Sequence, residues 1–288
     1  MPPLRCCHNP EAVEPFRQEL VLQPGHVPVE ATRPIAAYVG GKRSLARRIG
    51  ALIDATPHDN YAEPFVGMGG VFLRRTSRPA GEAINDRSED VANLFRVLQR
   101  HPDALLDQLA FQLTSRSEFD RQRRVDPTTL TDLERAARFV VLQRQTFGGK
   151  VVGRTFGISV GRKAALDVTH LAAELKAVHR RLAGVWIDCL PFEEFIRRYD
   201  RPGTLFYCDP PYWGTEDYYG ADLFPKASFE LLAQTLRGLK GRFILSLNDV
   251  PEVRALFSWA DIAGVELTYT AGGGGAARPA REVIITPR

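Results

Sequence analysis

The run Leu205-Phe206-Tyr207-Cys208-Asp209-Pro210-Pro211-Tyr212-Trp213 restricts the folds open to this chain more than any other stretch. Four consecutive apolar residues bounded by turn formers read as a strand buried on both faces, the pattern of an inner strand in a parallel sheet. The chain then places a carboxylate, two prolines and two aromatics in succession, which a central strand does not accommodate. In a parallel sheet such a break falls at the carboxyl end, where these sheets open into a ligand crevice. Pro210 and Pro211 each fix their own φ and neither donates an N–H, so the loop is stiff and its carbonyls remain free to accept. Asp209 and Tyr212 are therefore held before any ligand arrives, an arrangement that suits an amine placed between acceptors and a flat aromatic face. A plain Asp-Pro turn is the other reading of the same residues.

Two upstream stretches suggest what the crevice holds. In Ala37-Tyr38-Val39-Gly40-Gly41-Lys42-Arg43-Ser44, the glycines allow backbone to approach a ligand, and Leu45, Ile49 and Leu52 continue as a helix. The helix N-terminus favours an anionic group, and Lys42 adds a mobile charge. The phosphate-loop spacing Gly-x4-Gly-Lys-Ser is absent, and taken alone this stretch reads equally as a turn. Asn60 to Leu73 then reads as a short strand, a glycine-rich loop (Gly67-Met68-Gly69-Gly70) and a helix start. Glu82 to Asn85 form a second strand that ends at Asp86. In nucleotide folds such a loop packs against the cofactor while the carboxylate takes ribose hydroxyls. Gly-x-Gly-Gly is not the dinucleotide spacing, so a cofactor without phosphates, such as S-adenosylmethionine, is favoured.

From Arg96 to Gly184 the texture becomes helical and basic. This stretch holds 16 basic and 9 acidic side chains, a charge of +7, whereas the whole chain carries +4. The remainder is therefore about −3, and one basic face is expected, as a phosphate backbone requires. A solvated arginine-rich surface is the plainer alternative. Thr131-Asp132-Leu133-Glu134 matches a capping box, and Thr169 is the expected cap of a helix ending before Gly184. Between these helices lies the glycine-rich run Thr146 to Gly157, with aromatic Phe147 and Phe156, read as a loop or hairpin suited to a DNA groove. Arg144, Lys150, Arg154, Arg162 and Lys163 are the candidate DNA contacts.

After Gly184 the α/β pattern resumes. Strands are expected at Val185–Cys189, Leu205–Cys208, Arg242–Leu247 and Glu282–Thr286, with helices at Pro191–Tyr199, after a Ser228 cap, and from Pro251. Gly272 to Gly275 read as a flexible run. The sheet is thus split in sequence, with residues 34–95 and 185–288 forming one domain and residues 96–184 inserted. Residues 1–33, dense in proline, read as a flexible extension. A hydrophobic share of 44% supports a sizeable core. No run approaches the ~18 apolar residues of a membrane span, and no signal-peptide core is present, so a cytoplasmic location is expected. Cys6-Cys7-His8 lacks metal-ligand spacing, and no metal is expected.

Taken in order, Tyr38-Val39-Gly40-Gly41-Lys42, Glu63-Pro64-Phe65-Val66-Gly67-Met68-Gly69, Asn85-Asp86, the inserted block and Asp209-Pro210-Pro211-Tyr212 resemble the Dam-type (D12 class) adenine-specific DNA methyltransferases. The likeness extends through Ser246-Leu247-Asn248-Asp249 and Arg281-Glu282-Val283-Ile284-Ile285. It implies a Rossmann-like methyltransferase sheet with an inserted, mainly helical target-recognition domain. It also implies S-adenosylmethionine contacts from Tyr38, Lys42, Asp86 and Asp209, with Phe65 and Gly67 shaping the pocket. The expected reaction is methyl transfer to the exocyclic nitrogen of a flipped-out adenine in double-stranded DNA. Asp209 and the Pro210 carbonyl would accept from the amino group and Tyr212 would stack on the base. A cognate restriction endonuclease is a candidate partner. The bacterial Dam recognition run Phe-Asn-Gly-x-Tyr-Arg is absent, and Phe147-Gly148-Gly149-Lys150 stands in its place. An RNA or protein-amide methyltransferase, a nucleotide-dependent oxidoreductase and a non-catalytic DNA-binding protein are the rival readings.

Overall fold

A computed structural model of the chain describes residues 22–38, 42, 45–158, 164, 166–214, 224–269 and 278–288. In chain order it begins with β1 (Val27–Pro28), α1 (Ala46–Ala55), β2 (Asn60–Glu63), β3 (Ser77–Arg78) and β4 (Gly81–Asn85). A helical series follows: α2 (Glu89–Arg100), α3 (Pro102–Leu109), α4 (Arg116–Arg124), α5 (Asp132–Gln145) and α6 (Val168–Arg181). The chain continues with β5 (Trp186–Asp188), α7 (Phe192–Tyr199), β6 (Thr204–Cys208), α8 (Ala227–Arg237) and β7 (Arg242–Asn248). It closes with α9 (Pro251–Leu256), β8 (Asp261–Tyr269) and β9 (Arg278–Thr286).

Seven strands form one sheet in the order β5-β4-β2-β6-β7-β9-β8. The first five are parallel, and β9 lies antiparallel between β7 and β8. From β2 the chain moves outward through β4 and β5, then returns to the other side of β2 with β6 and β7. The strand order therefore reverses between β2 and β6, and a ligand crevice belongs at their carboxyl ends.

The apolar run of β6 is explained by burial on both faces. Leu205 and Tyr207 join the core shared with α1, α2, α5 and α6, while Phe206 and Cys208 join the core under α7, α8 and α9. One apolar cluster continues from the sheet through α2 into α3, α5 and α6. The expected boundary between residues 95 and 96 falls inside α2, whose Val91, Leu94, Phe95 and Leu98 are all buried. Among the described residues, α3, α5 and α6 are thus built onto the core of the sheet.

The capping box at Thr131 is present, with the Glu134 N–H donating to its hydroxyl and Glu134 accepting from the Thr131 N–H. Pro251 opens α9 as expected. Two caps differ. Asp167, not Thr169, caps α6, because its carboxylate accepts from the Thr169 N–H at 3.0 Å. Ser228 lies inside α8, whose flank Lys226 makes no side-chain cap. The glycine-rich loop ends in a single 3-10 turn, Phe72–Arg74, and not in a helix. Strand β8, at the sheet edge, was not expected from its sequence, where Gly264 interrupts the apolar alternation.

Part of the expected N-terminal extension is fixed to the fold. The Gln23 amide donates to the carbonyls of Asp54 and Thr56 at 2.6 and 3.0 Å, His26 is buried, and β1 pairs with β3. Backbone bonds at Val29 and Thr32 continue the attachment toward the crevice, so residues 22–33 form a strap, contrary to the flexible reading. Residues 1–21, Gly40-Gly41 and Gly272 to Gly275 lie outside the described residues. Among the described residues no helix is long and apolar enough to cross a membrane.

Candidate active site

The carboxyl ends of β2 and β6 deliver Glu63 and Asp209 to the crevice, and β9 delivers Glu282. Lys42, only 2% exposed, lies among them. Its Nζ is 2.8 Å from Asp209 Oδ1, 3.3 Å from Glu282 Oε2, and donates to the Tyr212 hydroxyl at 2.5 Å. Tyr212 in turn donates to Glu282 Oε1 at 2.5 Å, and its ring centroid lies 4.2 Å from Nζ. Lys42 is therefore an anchored cation, not the mobile charge expected from its glycine neighbours. With Glu282 buried and Asp209 partly exposed on either side, the ammonium is shared between two carboxylates.

Asp209 also accepts from Ser246 Oγ at 3.2 Å, and Ser246 is joined to the Tyr207 hydroxyl at 2.9 Å. Burial pushes the Asp209 carboxyl up to about 6, opposed by the adjacent Lys42 charge. Glu63 is buried more completely, accepts from the Tyr61 hydroxyl at 2.6 Å, and is pushed up to about 8 by desolvation. The loop after Asp209 is fastened by a reciprocal pair. The Trp213 N–H donates to Asn248 Oδ1 at 2.9 Å, and Asn248 Nδ2 donates to the Trp213 carbonyl at 3.0 Å.

Tyr38, Lys42, Phe65, Gly67, Asp86 and Asp209 all line one cavity of about 920 Å³. Gly67 adopts φ +49°, a left-handed conformation, and a Cβ there would stand 3.2 Å from the Tyr38 ring, so glycine keeps this wall close. Asp86 accepts from the Gly67 and Ser88 N–H groups, each at 2.9 Å, and burial pushes its carboxyl up to about 6. Asn85 ties three loops together through Pro64, Leu190 and its own side-chain acceptor for the Leu190 N–H. Phe65 meets Phe192 and Phe224 at centroid distances of 5.4 and 5.6 Å, giving the cavity an aromatic wall. Pro211 reaches the cavity, Pro210 is buried, and Tyr212 is half-buried against Lys42.

The predicted DNA contacts separate. Lys150 is exposed beside Phe147, which is 52% exposed. Arg144 lines the cavity and pairs with Glu174. Arg154 is buried, with its guanidinium 5.5 Å from the Phe139 ring and 3.3 Å from Gln143 Oε1, so it braces the helical layer and presents no charge to a phosphate. Arg162 and Lys163 lie outside the described residues. The glycine-rich run is closed by a bridge between Thr146 and Phe156, as a loop or hairpin requires, and Phe156 packs on Phe119.

The motif reading gave no role to Glu282, Ser246 or Gln143. Gln143 donates to the carbonyls of Ala37 and Gly149 at 2.9 and 2.6 Å, linking α5 to the segment that carries Tyr38. A signal for Glu282 existed: a carboxylate followed directly by Val283-Ile284-Ile285, all buried, is costly without a partner. Among the described residues no group of three or more His, Cys, Asp or Glu side chains could hold a metal ion.

A mostly parallel sheet that reverses at β2 and β6, with a crevice there lined by carboxylates and aromatics, places the molecule among the Rossmann-like methyltransferases. Residues 38–271 match the D12 class N6 adenine-specific DNA methyltransferase family, and the chain belongs to it. The protein is an adenine-specific DNA methyltransferase, and DNA is its substrate. The Type II methyltransferase M1.LlaDCHI of Lactococcus lactis subsp. cremoris is 27% identical over 276 residues, which cover 88% of this chain and 95% of that protein. The Retron Ec67 DNA adenine methylase of Escherichia coli is 25% identical over 234 residues, covering 77% and 80% respectively.

Proposed function

We propose that the methyl donor is S-adenosylmethionine, held between Tyr38 and Asp86, and that Asp209, Pro210 and Tyr212 present an adenine flipped out of double-stranded DNA. The observation that carries this reading is the position of Asp209, which shares one cavity with Asp86 and the glycine loop. The cavity volume of about 920 Å³ is ample for a nucleoside-sized ligand. Its chemistry fits a donor without phosphates. Glu63, Asp86 and Asp209 are acidic, and the glycine loop leads into a 3-10 turn, with no longer helix whose N-terminus could take a pyrophosphate. The same features count against a dinucleotide oxidoreductase.

In this reading Asp86 uses the acceptor capacity left after its two backbone bonds for the ribose hydroxyls. Phe65, with Phe192 and Phe224, covers the adenine ring, and Tyr38 closes the opposite wall. When bound, S-adenosylmethionine supplies an electrophilic methyl group on a positively charged sulfur. The target amino nitrogen is a weak nucleophile because its lone pair is delocalised into the ring. Asp209 and the Pro210 carbonyl accept its hydrogens, favour a tetrahedral nitrogen and stabilise the positive charge that develops there. Tyr212 supports the base from its ring face, and alignment supplies much of the acceleration.

Residues 96–184 act as the target-recognition region, with Lys150 and Arg144 as the leading phosphate contacts. The Type II name of one relative supports a cognate restriction endonuclease as partner, and a cytoplasmic location belongs to the same reading. The test is transfer of label from S-adenosylmethionine to adenine in duplex DNA. Asp209→Ala removes a charge-assisted hydrogen bond of ~1.5–3 kcal/mol, so kcat should fall at least ~10–100-fold. An Asp209→Ala protein that methylates at the wild-type rate overturns the assignment.

A further inference from the structure

Glu282 sits in β9 where a charge enters the sheet core beside an apolar run: Val283, Ile284 and Ile285 follow it, and all four are buried. A carboxylate in that position costs several kcal/mol unless it is paired and hydrogen-bonded. The ladder with β7 needs no carboxylate there, because the residue opposite, Asn248, spends its side chain on Trp213. What Glu282 does contact is the catalytic motif. One oxygen accepts from the Tyr212 hydroxyl at 2.5 Å and the other faces Lys42 Nζ at 3.3 Å.

These contacts form a directed chain. Lys42 is a donor only, so at its 2.5 Å contact with Tyr212 the phenol oxygen must accept. The phenol hydrogen is then committed to Glu282, and the direction of the Tyr212 O–H bond is fixed. The ammonium donates to Tyr212, pairs with Asp209 at 2.8 Å, and lies 3.3 Å from Glu282 Oε2 as an ion pair. Glu282 thus draws on the same cation that neutralises Asp209.

Resting on the donor and target assigned above, we infer that Glu282 is a positioning residue for methyl transfer, holding Lys42 and the Tyr212 hydroxyl so that Asp209 keeps acceptor capacity for the target amine. Without Glu282, the full charge of Lys42 falls on Asp209, and Tyr212 loses the acceptor that orients it. Glu282 acts through these neighbours and does not touch the reacting atoms. Its negative charge also helps hold the Asp209 carboxyl up near 6, so removing that charge moves the Asp209 titration to lower pH.

The experiment compares wild type, Glu282→Gln, Tyr212→Phe and the double variant, all full-length, in S-adenosylmethionine-dependent methylation of adenine in duplex DNA. Glu282→Gln is expected to lower kcat roughly 10–100-fold, the loss of one charge-assisted contact. The KM for the donor stays within about threefold, because the interaction is not made to the donor. The acid limb of its kcat profile moves to lower pH. Tyr212→Phe cuts the same link from the other side, lowering kcat with the acid limb in place. The double variant falls no more than about threefold below the worse single variant, since both remove one chain of contacts.

A Glu282→Gln enzyme with wild-type kcat and an unmoved acid limb overturns the inference, as do losses that multiply in the double variant. Should Glu282→Gln fail to fold by circular dichroism, Tyr212→Phe decides alone: a kcat loss with an unmoved limb supports the link, and wild-type kcat overturns it. Failure of the underlying reading is distinct, because the wild-type enzyme itself would then transfer no methyl group from S-adenosylmethionine to adenine.

Discussion

Two buried clusters of three charges stand in the core on the α1 and α2 side of the sheet, and they are built differently. In the first, Arg181 grips Glu82 through both guanidinium arms at 2.6 and 2.8 Å, and Arg75 reaches the same carboxylate at 2.7 Å. Both guanidiniums also lie over aromatic rings, Arg75 at 3.8 Å from the Tyr61 centroid and Arg181 at 3.9 Å from that of Phe72. The second is the Lys42, Asp209 and Glu282 group, in which one point charge is divided between two carboxylates. The first has surplus positive charge, forked geometry and no place in the cavity wall. The second has surplus negative charge and opens on the cavity through Lys42 and Asp209. Forked, stacked arginines fasten α6 to β4, whereas a shared lysine leaves carboxylate capacity beside the cavity. Burial of charge alone does not separate the two clusters; the sign of the surplus and its access to the cavity do.

The sharpest way to break this contrast is Glu82→Ala. It leaves two guanidiniums buried without their carboxylate, and the unfolding free energy in urea should fall by ~3–5 kcal/mol. Activity per folded molecule should hold. A protein that loses kcat but little stability would show that the first cluster takes part in catalysis and is not a structural fastening.

Glu63, between the clusters, comes next. Its folded-state carboxyl is raised from 4.5 to about 8, mainly by burial. A raised acid contributes stability that is complete below the unfolded value and is lost as pH rises through the folded one. Between about pH 4.5 and 8, wild type should therefore lose stability relative to Glu63→Gln, which has no proton to release. Melting temperatures of the two proteins across that window test this, and parallel curves would show that Glu63 does not titrate as its burial implies.

The smallest expected effects lie at the surface. Lys150→Ala should weaken duplex binding less than tenfold and make the log–log salt slope shallower by ~0.9, the loss of one phosphate contact. Arg154→Ala should leave that slope unchanged and lower stability instead, because its charge is buried against Phe139. Equal salt slopes for Lys150→Ala and wild type would place the DNA on another face.

Much of this molecule was legible as a string. Uninterrupted apolar runs marked the inner strands because those strands are buried on both faces, and the break at Asp209 marked the crevice because strand pairing ends there. Thr131 and Glu134 announced the start of α5, since a capping box is complete within four residues. The order of motifs gave the family. At α6 the expected cap was Thr169 and the structure uses Asp167, because the choice between near neighbours depends on which backbone leaves the helix.

Only the tertiary structure decided which buried charges meet. Tyr212 is 170 residues from Lys42 and 70 from Glu282, and nothing periodic joins them. They come together because β9 runs antiparallel beside β7 in a register that sets Glu282 opposite Asn248. Arg75, Glu82 and Arg181 meet through the packing of α6, and Arg154 was turned inward by the helical layer. Local sequence encodes the period of a strand and the cap of a helix, because those energies are settled within a few residues. The partner of a buried charge is set by strand order and register, which the period does not contain.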